Sequence, residues 1–298
     1  VLTKSTPEAL TVEQLLFQGQ PCLKLQHACG DHVLVALHGA HVLSWVSAGQ
    51  EQLYLSPKST FDGHSAIRGG VPICFPQFNQ RGPLPKHGFA RNLRWHPYLH
   101  PYQQQQTHQL AYLEDEWTCL SLRIETSPET RSYWDQAFEL ILTVQLQPST
   151  LQLKLSLRNA GTTALTFTGA LHTYLRVDDI GATRLLGLEG QPVWDAVRDC
   201  HEYGPSTLYF EGEFDRVFEA SAKPLQLLDG ERRLQIEQSQ SLAHTVVWNP
   251  GSVRCASLPD MTADGWKQML CVEAAQVLTS IALAGGQTWQ GWQRLRVL

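Results

Sequence analysis

The segment LQLKLSLRN, residues 151–159, alternates leucine with polar residues up to its final asparagine. Leu151, Leu153, Leu155 and Leu157 fall on one side of an extended chain, and Gln152, Lys154, Ser156 and Arg158 on the other. A helix repeats its faces every 3.6 residues, so a period of two marks a half-buried antiparallel strand. LILTVQLQ (140–147) and CLSLRIET (119–126) alternate in the same way. HVLVALHGAHVLSWV (32–46), AHTVVW (243–248), VLTSIALA (277–284) and WQRLRVL (292–298) are rich in the β-branched, aromatic and leucine side chains that suit strands. Helical signals are few. TVEQLL (11–16) reads as a short capped turn, with Thr11 three residues before Gln14. A second short helix is expected around TADGWKQ (262–268).

Many strands punctuated by Gly, Pro and Asn turns predict an all-β fold, a large antiparallel β-sandwich with a few short helices. No linker or internal repeat divides residues 1–298, so one domain is expected. YQQQQTHQ (102–109) reads as a polar loop tip. With 43% hydrophobic residues and nine tryptophans, the chain can fill a sizeable core. There is no apolar run of membrane-spanning length and no apolar stretch in VLTKSTPEAL, so neither a membrane span nor a signal peptide is expected. Seven cysteines, an odd number without a CxxC pair, suggest buried thiols in a reducing, cytoplasmic setting.

The formal net charge is −5, which argues against nucleic acid or an anionic membrane as partner. One region departs from this balance. Between Asp62 and Glu114 there is no acidic residue, yet Arg68, Arg81, Lys86, Arg91 and Arg94 contribute +5, leaving −10 for the rest. A basic patch on an acidic protein suits a small anionic ligand; a solvated loop that happens to lack acids is the plainer alternative.

Several chemistries lose support for want of their motifs. There is no GxxxxGK[ST], no GxGxxG after a strand and no GxSxG. His38 and His41 form an HxxH pair, but in a strand a spacing of three sends them to opposite faces, and no other histidine cluster has metal-ligand spacing.

Three places remain for chemistry. In LTFTGALHTYLRV (165–177), Leu165, Phe167, Leu171, Leu175 and Val177 share one face, and Thr166, Thr168, His172, Tyr174 and Arg176 the other. His172 therefore sits on a polar face beside a phenol and a guanidinium; it is either a satisfied structural histidine or a site residue on a rigid element. Glu273 is the only charge in QMLCVEAAQVL (268–278), so it is either paired within the sheet or pushed up in pKa by desolvation, towards general-base duty. Asp215 in EFDRVFEA (213–220) can accept two hydrogen bonds from adjacent sugar hydroxyls, or it is an ordinary turn residue.

RGGVPICFPQF, LPKHGFAR, LHTYLRV, FDRV, VVWNPG and MLCVEA occur in this order from about residue 30 to the C-terminus. Together they resemble the galactose-mutarotase-like superfamily, and more closely its glucose-6-phosphate 1-epimerase (D-hexose-6-phosphate mutarotase) branch. The resemblance implies a β-sandwich of the supersandwich type and a cofactor-independent exchange of hexose 6-phosphate anomers; nothing in the sequence demands more than a monomer. The resemblance also implies His172 and Glu273 as the catalytic pair, and Arg68, Lys86, His87, Arg91 and Asp215 as substrate contacts. The basic loop then becomes a phosphate socket, Glu273 the base on the anomeric hydroxyl, and protonated His172 the acid at the ring oxygen. An aldose 1-epimerase for free sugars, a non-catalytic sugar-binding module and a glycoside hydrolase using Asp215 and Glu273 are the competing readings.

Overall fold

The computed structural model describes residues 12–99 and 109–298. The expected loop tip at 102–109 therefore lies outside the described residues, except for Gln109. Strands form three antiparallel sheets, of five, ten and eight strands. The alternating segments fall where their period places them. Trp117–Glu125, Phe138–Gln147 and Thr150–Asn159 are consecutive neighbours in the ten-stranded sheet, and Thr288–Val297 pairs along the last of them. Leu151, Leu153, Leu155 and Leu157 are all buried, while Arg158 is exposed.

The eight-stranded sheet carries the candidate site. Its central run is Phe214–Glu219, His244–Asn249, Met269–Leu283, Leu165–Leu171 and Ile73–Cys74, each paired with the next. One apolar cluster joins all three sheets through residues such as Trp45, Leu142, Leu155, Phe167, Leu171, Val272 and Leu295. This shared cluster favours treating the chain as one domain. Gln293 from the ten-stranded sheet reaches across it, donating to the Val272 carbonyl (2.9 Å) and accepting from the Thr173 hydroxyl.

Two local expectations are corrected. Val12–Phe17 is a strand, not a capped turn, and it pairs with Gln20–Gln26 from Phe17↔Gln20 to Val12↔Leu25. The two-residue loop Gln18–Gly19 has φ +50° and +79°, the geometry of a tight hairpin, and the ladder that it closes outweighs a single capping signal. Thr11 lies outside the described residues. His38 and His41, for their part, do not share a strand: the chain turns at Gly39 (φ +71°). Both rings then address one segment, His38 Nε2 at the Ser65 carbonyl (2.8 Å) and His41 Nε2 at the Gly69 carbonyl (2.7 Å).

The expected helix near 262–268 is a 3₁₀ turn, Gly265–Gln268. A second 3₁₀ turn, Ala90–Asn92, and two short α-helices, Pro128–Tyr133 and Gly251–Ala256, complete the set among the described residues; Ser127 and Thr130 cap the first α-helix reciprocally. All seven cysteines are free. Five are buried, Cys29 is exposed and Cys200 half-buried. No helix among the described residues is long and apolar enough to cross a membrane.

Candidate active site

Met269–Leu283 pairs with Leu165–Leu171 at Leu171↔Ala274 and with Tyr174–Arg176 at Tyr174↔Cys271. The register is unchanged between these pairs, so the intervening His172 and Thr173 lie across from Glu273 and Val272. The alternation placed His172 in mid-strand, but the strand is interrupted there. The His172 N–H turns to the Pro72 carbonyl (3.1 Å), and the Thr173 N–H returns to Leu171 (3.0 Å). The side-chain alternation survives the break: Leu165, Phe167, Leu171, Leu175 and Val177 all enter the main core, and His172 and Tyr174 face away from it.

Directly opposite residues share a face of a sheet. Trp248 lies opposite both Cys271 and Asp215, so His172, Tyr174, Cys271, Glu273, Trp248 and Asp215 all project from one side. His172 Nε2 is 3.3 Å from Glu273 Oε1. Glu273 is 1% exposed and His172 8%, and Glu273 Oε2 and His172 Nδ1 have no hydrogen-bond partner among the described residues. The imidazole stacks on Tyr174 (4.8 Å between centroids, 11°) and meets the edges or faces of His87 and Trp248 nearly at right angles.

Burial disfavours charge on both members of the pair. It raises the Glu273 pKa well above the usual carboxylate range, with the Asp215 charge adding to the effect. It lowers the His172 pKa well below the imidazole range, helped by Arg68 and Arg91. In the empty site each member of the pair is thus pushed towards its neutral form. Asp215 is half-buried, its carboxylate makes no hydrogen bond or ion pair with any described residue, and its pKa is pushed up to about 6 by burial and then by Glu213.

The basic loop wraps the same face. Arg68 donates through Nη1 to the Tyr174 hydroxyl (2.9 Å) and through Nε and Nη2 to Asp260 Oδ2 (both 3.0 Å). Asp260, not singled out in the sequence, supplies from 192 residues away the acid that the loop lacks. His87 Nδ1 accepts the Asn79 N–H (3.2 Å), so in the neutral ring the proton is on Nε2. Lys86 and Arg91 have no acidic side chain within ion-pair distance among the described residues, and Arg91 binds only the Lys86 carbonyl (2.8 Å). Crowding by the surrounding protein, then Arg254, Arg68 and Arg91, lower the Lys86 pKa. Arg254 is itself paired with Glu213 (3.4 Å). Arg81 lies over the Trp194 ring, 4.7 Å from its centroid, held by a cation–π contact.

The loop glycines let the backbone pack closely against the protein's own backbone. A Cβ at Gly69, Gly70 or Gly88 would lie 2.4 Å from the Tyr54 carbonyl, 2.1 Å from that of Val42 or 2.1 Å from that of Phe75. A separate hollow of about 850 Å³ is lined by Asp195, Arg198, Tyr209 and Arg216. Arg216 adjoins Asp215 in one strand and so faces the other way, and Asp195 already pairs with both Arg198 and Arg216.

Residues 21–296 match the model of the aldose 1-epimerase family. A protein of Cenchrus ciliaris named "Putative glucose-6-phosphate 1-epimerase" is 34% identical over 264 residues, 86% of this chain and 78% of its own length. One of the same name from Escherichia coli K12 is 36% identical over 250 residues, 80% of this chain and 78% of its own. The crystal structure of a putative mutarotase from Salmonella typhimurium superposes with a TM-score of 0.84 at 28% identity, covering 96% of this chain and 93% of that one. With these matches the β-sandwich is a mutarotase-like enzyme, an isomerase. The chain belongs to the aldose 1-epimerase family.

Proposed function

We propose that the enzyme interconverts the α and β anomers of a hexose 6-phosphate, glucose 6-phosphate foremost, by acid–base ring opening and closure. The observation that carries this substrate is the pair of cations without acidic partners, Lys86 and Arg91, whose charges are felt at His172. A sugar phosphate brings nearly two negative charges and a neutral sugar none. Arg91 offers a planar fork to phosphate oxygens and Lys86 a point charge. Arg68, anchored by Asp260, retains two of its five N–H donors and also braces Tyr174 beneath the imidazole. The names borne by the plant and Escherichia coli relatives support the same substrate.

Proton bookkeeping accommodates the neutral resting pair. A neutral carboxyl beside a neutral imidazole holds the same number of protons as a carboxylate beside an imidazolium. Transfer across the 3.3 Å contact therefore creates the working form without exchange with water. Glu273 then takes the anomeric hydroxyl proton while His172 protonates the ring oxygen. The hemiacetal opens to an aldehyde, the bond between the first two carbons rotates, and closure from the other face reverses both transfers. Each proton has a donor and an acceptor in the pair or the sugar. Asp215, two strands or about 10 Å across the sheet from Glu273, is placed for hydroxyls at the far side of a hexose ring. All these residues come from one chain, so the reading takes it as a monomer.

The test is anomer exchange by NMR saturation transfer, with glucose 6-phosphate and glucose in parallel. The phosphate is expected to exchange far faster, and Lys86→Met with Arg91→Met to erase that preference. His172→Asn and Glu273→Gln should each lower kcat by about 10²–10⁴-fold with little change in substrate Kd. Equal acceleration of both sugars would return the reading to a free-sugar epimerase; near-normal rates in either mutant would remove the catalytic assignment.

A further inference from the structure

The same sheet face holds a group that the proton transfers do not use. Cys271 precedes Glu273 by two residues on one strand, so both side chains project to the same side, and His172 stands across from them. One ligand atom from each of the three, sulfur, nitrogen and oxygen, lies within 4.8 Å of the other two. All three residues are buried, and Glu273 Oε2 and His172 Nδ1 lack hydrogen-bond partners among the described residues.

We infer that His172, Cys271 and Glu273 form a binding site for a thiophilic divalent cation such as Zn²⁺ or Cd²⁺, and that this cation shuts the enzyme off by occupying the pair. The donor set decides the class of ion. One thiolate, one imidazole and one carboxylate suit zinc and cadmium, whereas magnesium and calcium take oxygen alone. The 3.3 Å between His172 Nε2 and Glu273 Oε1 fits two ligands about 2.0–2.1 Å from one tetrahedral ion. Burial holds the Cys271 thiol strongly protonated, but a coordinated thiol is deprotonated outright. As the metal–sulfur and metal–oxygen bonds form, the Cys271 thiol proton and the Glu273 carboxyl proton both pass to solvent. Thiolate and carboxylate then balance the charge of the ion. Asp260 already offsets Arg68, which lessens repulsion from that side. The fourth coordination position is left for a water or sugar oxygen, and the metal and the anomeric centre compete for the same two side chains.

The inhibitory half of this inference rests on the proposed roles of His172 and Glu273; the binding half does not, and the experiment separates them. In a Cys29→Ser, Cys200→Ser background, which removes the two thiols that are not buried, Cd²⁺ titration is followed by the ultraviolet thiolate-to-cadmium absorption. One equivalent per chain is expected. The band should vanish in Cys271→Ser, and cadmium affinity should fall at least about tenfold in Glu273→Gln. In parallel, Zn²⁺ should suppress anomer exchange, excess glucose 6-phosphate should restore it, and Cys271→Ser should keep its basal rate while resisting zinc. A full-strength band in Cys271→Ser, or unchanged affinity in Glu273→Gln, overturns the site. A band that forms as expected in an enzyme whose exchange zinc does not slow overturns the inhibition. Correct binding in a protein with no exchange activity at all would instead fell the proposed function.

Discussion

At the scale of single residues, the site combines groups that the fold stabilises with groups that it does not. Asp215 belongs to the second kind: its pKa is raised to about 6, so the folded protein binds its proton more tightly than the unfolded chain does. The sign follows from this. Stability that is full below the unfolded value, about 3.9, is lost as pH rises towards 6, and at neutral pH the carboxylate is a burden on the empty enzyme. The ceiling on that burden is about 3 kcal/mol, and partial solvation reduces it to roughly 1 kcal/mol. Asp215→Asn is therefore expected to raise Tm near neutral pH by about 2 °C, a gain that disappears by about pH 4, while sugar affinity falls. Calorimetry at the two pH values checks it; a lower Tm at neutral pH would show that Asp215 is structural. Glu273 stood out in the sequence as the lone charge of its segment, and His172 as a histidine on a polar strand face beside Tyr174 and Arg176. Their 3.3 Å contact was not visible there, since residues 101 positions apart meet only through strand register. Asp260 and Cys271 gave no such signal: one is an ordinary acid near a turn, the other an apolar-looking member of a strand.

At the scale of elements, the basic loop is held by backbone packing where the sequence pointed to ligand contact. Gly88 has φ +70° and bridges Phe75, and its missing Cβ leaves room for the Phe75 carbonyl. Gly88→Ala combines a left-handed backbone, costing about 1–2 kcal/mol, with a 2.1 Å backbone collision that only movement of the loop relieves. The expected loss is at least about 2 kcal/mol by urea denaturation, accompanied by lower activity, because His87 and Arg91 lie within three residues of Gly88. An unchanged midpoint would mean that the loop is free to shift. The glycines were legible as special positions, but not what they accommodate, because a positive φ can serve a ligand or a neighbouring strand equally well. The first hairpin illustrates the same limit. TVEQLL carries a capping pattern, and only the two-residue Gln18–Gly19 turn followed by a complementary strand shows that pairing overrides it.

At the scale of the whole molecule, the fold class was legible because alternation is local, while the sheet order was not, since it joins strands far apart in sequence. Charge distribution works at this scale too. The protein is acidic overall, so an anionic substrate approaching from a distance meets repulsion except over the site face, where Lys86 and Arg91 lack acidic partners among the described residues. Salt screens such interactions over about 10 Å at 0.1 M and about 3 Å at 1 M. Raising ionic strength between those values is therefore expected to increase KM for glucose 6-phosphate several-fold and to leave KM for glucose unchanged. In Lys86→Met, Arg91→Met the salt dependence for the phosphate should flatten towards that of the neutral sugar, whereas in Arg81→Met, whose cation lies over Trp194, it should persist. A salt response of equal size for both sugars would assign the effect to the fold; one that survives the double substitution would move the phosphate contact to Arg68 or Arg254. The contrast between two substrates in one protein isolates the cations from stability, because any general loosening of the sandwich acts on both alike.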